Sequence, residues 1–196
     1  MATKALLVVV SYLLGSIPFG LLVSKIWNLD IRHHGSGNIG ATNVYRILGA
    51  LAGGLVFVLD YLKGFAAASL GLLTGADPLF TVLLGFAVII GHLFPVFLKF
   101  KGGKGAATGL GVLCWINPLI FIIAVIFVLL VIGLTRYVSL ASILTPALVC
   151  ALMYYFKQPL PYFIGSLLIF MFLFFSHLKN IQRLLQGREP RIGENQ

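Results

Sequence analysis

The chain has 196 residues, 60% of them hydrophobic and only 10% charged, with a formal net charge of +9. Soluble domains run to about a quarter charged residues and under half apolar, so a water-soluble globular protein is excluded. Apolar runs long enough to cross a bilayer recur from end to end, and no hydrophilic block could form a second domain, so 1–196 reads as a single integral-membrane domain.

The first apolar run, 5–26, continues through "LLGSIPFGLLVSKIW" past any cleavage site. It therefore reads as a retained helix and not a signal peptide. Residues 35–46, "GSGNIGATNVYR", follow as a polar interruption. Glycines permit left-handed backbone and close approach of a ligand, and successive amides can then line an anion nest. Ser36, Asn38, Thr42 and Asn43 add side-chain donors, and Arg46 offers a planar fork suited to phosphate. A plain connector with helix caps is the competing reading, but it needs no terminal arginine at the membrane surface.

The second run, 47–74, carries Asp60 and Lys63 three residues apart on one helix face. They are either a packing pair or part of an ion path, with the pair favoured. In the third run, 79–98, His92 precedes Phe94-Pro95 and reads as an interhelical hydrogen bonder. Next comes "KFKGGKGAATGLG", 99–111, with Lys99, Lys101 and Lys104 around glycines and Thr108. The nucleotide P-loop spacing is absent, so nucleotide hydrolysis is not inferred. Glycine amides leading into a helix N-terminus still attract anions; a loop that only sets orientation is the alternative.

The run 105–134 is too long for one span and breaks at Asn117-Pro118, giving 105–116 and 118–134. Twelve residues rise only about 18 Å, short of a full crossing. "TRYVSLAS", 135–142, places Arg136, Tyr137, Ser139 and Ser142 at a helix end, where Tyr and Arg also serve as ordinary interfacial anchors. After the runs 139–156 and 159–177, "SHLKNIQRL" carries His177 and Asn180, whose spacing puts them on one helix face. Such a histidine is either structural or part of a site. Cys114 and Cys150 lie in apolar runs without metal-ligand spacing and read as packed thiols.

Charge decides the topology. With seven helices and the N-terminus outside, one face receives Lys25, Arg32, Arg46, Lys99, Lys101, Lys104, Arg136, Lys179, Arg183, Arg188 and Arg191. The other receives only Lys4 and Lys157, a strong positive-inside asymmetry. The expected fold is an all-α polytopic membrane protein with about seven transmembrane helices, N-terminus outside and C-terminus cytoplasmic. The segments 28–46, 99–111, 135–142 and 177–183 then share the cytoplasmic side.

Together, "SGNIGATNVYR", "KGGKGAATG" and "HLKNIQRL" resemble the bacterial membrane acyl-phosphate:glycerol-3-phosphate acyltransferases, with support from "GSIPFG", "LDYLKG" and "GHLFPVF". The resemblance implies transfer of a fatty acyl group from acyl phosphate to the 1-hydroxyl of glycerol 3-phosphate. Lysophosphatidic acid and phosphate would be the products, formed in the first steps of phospholipid synthesis. It implies a multi-pass protein of the bacterial cytoplasmic (inner) membrane with its active site on the cytoplasmic side. Its first motif falls on Ser36, Gly37, Asn38, Gly40, Thr42, Asn43 and Arg46, and its second on Lys101, Gly102, Gly103, Lys104 and Thr108. Ser139, with Ser142 beside it, answers to the third, and His177 and Asn180 to the last.

Two phosphorylated substrates need two anion pockets, and the sequence holds two glycine-rich basic loops. Because acyl phosphate is already activated, neither cofactor nor metal is expected. Arg46, Lys104, His177 and Asn180 are the expected catalytic set, and the partners are the two substrates and the lipid bilayer, not nucleic acid. Either His177 or a substrate phosphate oxygen takes the hydroxyl proton. The main rival is a transporter of a phosphorylated metabolite, but the inverted repeat expected of one is not visible. A non-catalytic scaffold leaves the glycines beside Lys and Arg unexplained. The His-x-x-x-x-Asp acyltransferase pattern is absent, because none of the four histidines has Asp five positions later.

Overall fold

The computed structural model describes residues 1–193. Among them the regular structure is entirely helical and divides into two compact units, Met1–Ile116 and a second that starts at Asn117. Five helical stretches are long and apolar enough to cross a membrane: Ala2–Ile26, Ala41–Thr74, Pro78–Leu98, Pro118–Thr135 and Val138–Tyr155. A sixth forms if Leu160–Ser176 and Leu178–Leu185, bent by 59° at their junction, count as one.

The first unit holds α1 (Ala2–Ser16), α2 (Phe19–Ile26), α3 (Ala41–Ser69), α4 (Pro78–Leu93) and α5 (Ala106–Ile116). The run read as continuous over 5–26 is broken between α1 and α2. Pro18 supplies no amide donor and Ile17 is extended, with ψ 117°. Helix α3 begins at Ala41, ahead of the apolar run, so half of "GSGNIGATNVYR" is helical. Gly49, at φ 85° and ψ −175°, sets this polar beginning off from the membrane-spanning remainder. Asp77 caps α4, its carboxylate accepting from the Phe80 amide at 3.2 Å, with Pro78 in the first helical position.

Helix α1 packs on α4 and α3 on α5. Both contacts are close backbone approaches: a Cβ on Gly15 would strike the backbone of Val88, and one on Gly91 the carbonyl of Tyr12. Likewise Gly64 abuts the Thr108 carbonyl and Gly111 the Tyr61 carbonyl. In lipid, where tails are as apolar as side chains, small residues that let backbones meet supply the packing energy.

The second unit holds α6 (Pro118–Thr135), α7 (Val138–Tyr155), α8 (Leu160–Ser176) and α9 (Leu178–Leu185). The break at Asn117-Pro118 falls where the sequence places it. The Asn117 side chain accepts from the Ile120 amide at 2.9 Å and donates to Gln158 Oε1 at 3.0 Å. Helix α6 packs on α7 and α7 on α8. Residues 187–193 return to the α6–α7 turn: Ile192 N donates to Arg136 O at 2.8 Å, and Arg136 Nη2 donates to Ile192 O at 2.9 Å. Arg191 lies 5.2 Å from the Tyr137 ring centroid and donates to its hydroxyl at 3.1 Å.

Candidate functional site

Between α2 and α3, residues 28–40 fold around two side chains. Asp30 caps a single 3-10 turn, Ile31–His33, and holds Arg32 through a two-pronged ion pair at 2.9 and 2.6 Å. The Arg32 hydrogen bond keeps the Asp30 carboxyl well below the usual carboxylate range. Arg32 is thereby committed to Asp30. Asn43 forms the second centre: its Oδ1 accepts from the Ser36 amide at 2.9 Å, and its Nδ2 donates to His34 O at 3.1 Å and Asn38 O at 2.9 Å.

Asn38 Oδ1 accepts from the Gly40 amide at 2.8 Å, and Gly37 turns the chain at φ 69°. Buried Ile39 and Val44 pin this loop to a core of Val23, Ile31, Ala52 and Val56. The loop therefore offers exposed Ser36, and half-buried Thr42 and Arg46 one helical turn apart. Asn43, expected as a ligand donor, is buried and shapes the loop from within.

The second loop follows α4. Lys99 and Phe100 are consecutive left-handed residues, at φ 51° and 62°, which reverse the chain toward the helix it has just left. Gly102 N then donates to Leu93 O at 3.0 Å, and Gly103 N to His92 O at 3.1 Å. Lys101 is exposed and Lys104 half-buried, ahead of the first turn of α5, whose amides lack intrahelical partners. Thr108 is fully buried, its Oγ1 3.3 Å from His92 Nδ1.

Behind this loop the Asp60–Lys63 pair is present, 2.7 Å apart and buried. His92, which the sequence left separate, joins it, with Nδ1 3.4 Å from Asp60 Oδ1. Lys63 Nζ also donates to Ile17 O at 3.0 Å, at the α1–α2 break. His92 lies on a different helix, far along the chain from Asp60 and Lys63, so no local spacing could reveal the group. Among the described residues no cluster of His, Cys, Asp or Glu is arranged to hold a metal ion.

In the second unit, Ser139 is buried in the first turn of α7, and Ser142 Oγ donates to Val138 O at 3.0 Å. His177 is not on a common helix with Asn180: it is the junction residue where the chain bends between α8 and α9. Buried His177 lies with Nδ1 2.8 Å from Leu173 O. A carbonyl can only accept, so Nδ1 carries the proton and Nε2 is the basic ring nitrogen.

Asn180 Nδ2 donates to Glu189 Oε1 at 2.7 Å, and Arg183 Nε donates to Glu189 Oε2 at 2.6 Å. Burial pushes the Glu189 carboxyl up, but hydrogen bonds from Arg183 and Asn180 outweigh it and hold the group below its ordinary range. The buried Ser139 hydroxyl faces the same carboxylate without completing a hydrogen bond. Sequence reasoning missed Glu189. Its only signal was an acid in a basic tail, in a chain with five acidic residues in all.

The family model described as Glycerol-3-phosphate acyltransferase matches residues 5–187. The chain belongs to the glycerol-3-phosphate acyltransferase family. It is 46% identical to the glycerol-3-phosphate acyltransferase of Geobacillus kaustophilus, over 96% of this chain and 95% of that one. The Bacillus subtilis glycerol-3-phosphate acyltransferase is 42% identical, over 96% of this chain and 97% of its own.

Among solved structures the fold is similar to PlsY, an integral membrane glycerol 3-phosphate acyltransferase. The glycerol 3-phosphate form of PlsY superposes with a TM-score of 0.94 at 41% identity, covering 97% of this chain and 96% of that one. The lysophosphatidic acid form gives 0.91 at the same identity and coverage. Both glycine-rich loops and the α8–α9 junction of this glycerol-3-phosphate acyltransferase family member lie inside the matched region. It is a multi-pass membrane protein, with five or six helical stretches among the described residues long and apolar enough to cross a bilayer unaided.

Proposed function

We infer that this enzyme transfers a fatty acyl group to the 1-hydroxyl of glycerol 3-phosphate, with acyl phosphate as donor, and releases lysophosphatidic acid and inorganic phosphate. The observation that carries the reading is the end-to-end likeness, at 41% identity and TM-score 0.94, to an acyltransferase structure in its glycerol 3-phosphate form. Two loops rich in glycine and basic residues, 35–46 and 101–108, match the requirement that both substrates present phosphate. The whole chain is one acyltransferase domain. It has seven crossings, counting short α5, with the N-terminus outside and the C-terminus and active-site loops on the cytoplasmic side of the inner membrane. The one-sided distribution of Lys and Arg supports that orientation.

In this reading Ser36, Thr42 and Arg46 hold one phosphate, while Gly37, Asn38, Gly40 and Asn43 keep the loop in shape. Lys101 and Lys104, with the amides of the first turn of α5, hold the other, while Gly102 and Gly103 fold the loop back onto α4 and Thr108 secures the start of α5. In the second unit His177 and Asn180 act on the substrates, and Ser139 and Ser142 fix the beginning of α7. The glycerol hydroxyl attacks the acyl carbonyl, its proton passes to a base, and the C–O bond to phosphate breaks. Arg46 and Lys104 stabilise the charge that builds on the departing phosphate. The protonation of His177 at Nδ1 leaves Nε2 suited to accept the hydroxyl proton.

Purified protein given glycerol 3-phosphate and acyl phosphate should release phosphate and lysophosphatidate; a parallel reaction with acyl-CoA should be silent. Comparable turnover with acyl-CoA would refute the donor assignment. No acyl transfer from either donor would refute the whole reading.

A further inference from the structure

Asp60, Lys63 and His92 make no contribution to the chemistry just described, yet the chain places a buried ion pair and a buried imidazole in one spot in a membrane. Each is 5% exposed or less. Charged groups at such depth are costly and are retained where they do something. The surroundings indicate what. The His92 carbonyl accepts from the Gly103 amide at 3.1 Å, and the neighbouring Leu93 carbonyl from Gly102 at 3.0 Å. The far side of the imidazole closes on Gly103 itself, where any Cβ would collide with Nε2.

The other side of the ring faces Asp60 at 3.4 Å and Thr108 at 3.3 Å, so the ring is held between the loop and α3. Asp60 is in turn fixed by Lys63 at 2.7 Å, and Lys63 is tied to Ile17 O, with its ammonium 5.5 Å from the Phe19 ring centroid. The chain of contacts thus runs from the α1–α2 break, through Lys63, Asp60 and His92, to the backbone of the glycine loop.

We propose that Asp60, Lys63 and His92 are positioning residues that fix the Gly102-Gly103 backbone and so aim Lys104 at phosphate, acting through the His92 ring and carbonyl. The proposal rests on the reading of 101–108 as a phosphate loop, and the test separates the two. Asp60→Asn/Lys63→Met removes both charges together, so neither is left buried alone, and His92→Ala leaves the ion pair intact. Lys104→Ala is measured alongside, each with glycerol 3-phosphate and with acyl phosphate varied in turn.

The expected result is that both variants fold and raise KM about tenfold for the same substrate that Lys104→Ala weakens, with kcat and the other KM within about threefold. Monodisperse variants with wild-type KM overturn the proposal, as does a loss confined to kcat. Failure of both variants to fold also overturns it, because the group would then serve the fold as a whole. An unchanged KM in Lys104→Ala brings down the phosphate-loop reading itself, and the proposal with it.

Discussion

At the scale of single residues, the same side-chain chemistry serves two ends in this protein. Asn43 and Ser36 look alike as donors in the sequence, yet Asn43 is buried and makes three hydrogen bonds to its own loop while Ser36 is exposed. Asn43→Ala should therefore cost about 1–3 kcal/mol and lower activity together with thermal stability in detergent. Ser36→Ala should lower kcat/KM with an unchanged melting temperature. His177 presents the opposite case, a buried group whose ring orientation is fixed by Leu173 O. His177→Ala should reduce kcat by about 10²–10⁴-fold if its Nε2 is the base; near-normal turnover at saturating substrate would assign the proton to a substrate phosphate oxygen instead.

Helices meet through small residues, and the loops inherit their geometry from those crossings. Gly64 and Gly111 bring α3 and α5 together at the level of Thr108, directly behind the basic loop. Gly111→Leu should wedge this contact apart, destabilise the fold by about 1–3 kcal/mol or more, and show as a lowered melting temperature and lost monodispersity in size-exclusion chromatography. Gly133→Leu, at a position with open space around it, should change neither. The position of the α5–α6 break was legible because proline and its neighbour act through local chain geometry. The α1–α2 break also follows from a proline, Pro18, but the apolar residues on both sides of it hid the interruption in a hydropathy reading. The bend at His177 was not legible: both flanking segments carry helical sequence, and the turn is held by hydrogen bonds to Leu173 and Phe174.

Within the second unit, residues 187–193 close over the α6–α7 turn through Arg136, Ile192 and Arg191, while Glu189 joins Asn180 and Arg183. Since folding lowers the Glu189 carboxyl below its ordinary value, its contribution is complete above the ordinary glutamate range. That contribution is lost as pH falls through the depressed folded value. Glu189→Gln should remove this acid sensitivity and lower stability at neutral pH, measured by thermal unfolding across acidic to neutral buffers. For the chain as a whole, the asymmetry of Lys and Arg predicts a cytoplasmic C-terminus. A reporter fused there should be active only in the cytoplasm, and activity outside would reverse the orientation.

The sequence by itself determined the membrane class, the helical character and the places of two glycine-rich basic loops, because hydropathy, proline chemistry and glycine-basic composition act over a few neighbouring positions. Only the tertiary structure decided which of those residues are exposed and which hold the loop. It alone joined His92 to Asp60 and Lys63, and Glu189 to Asn180. Such pairings depend on where separate helices cross, and helix crossings are set by close packing of small residues across long sequence distances. No local pattern encodes them.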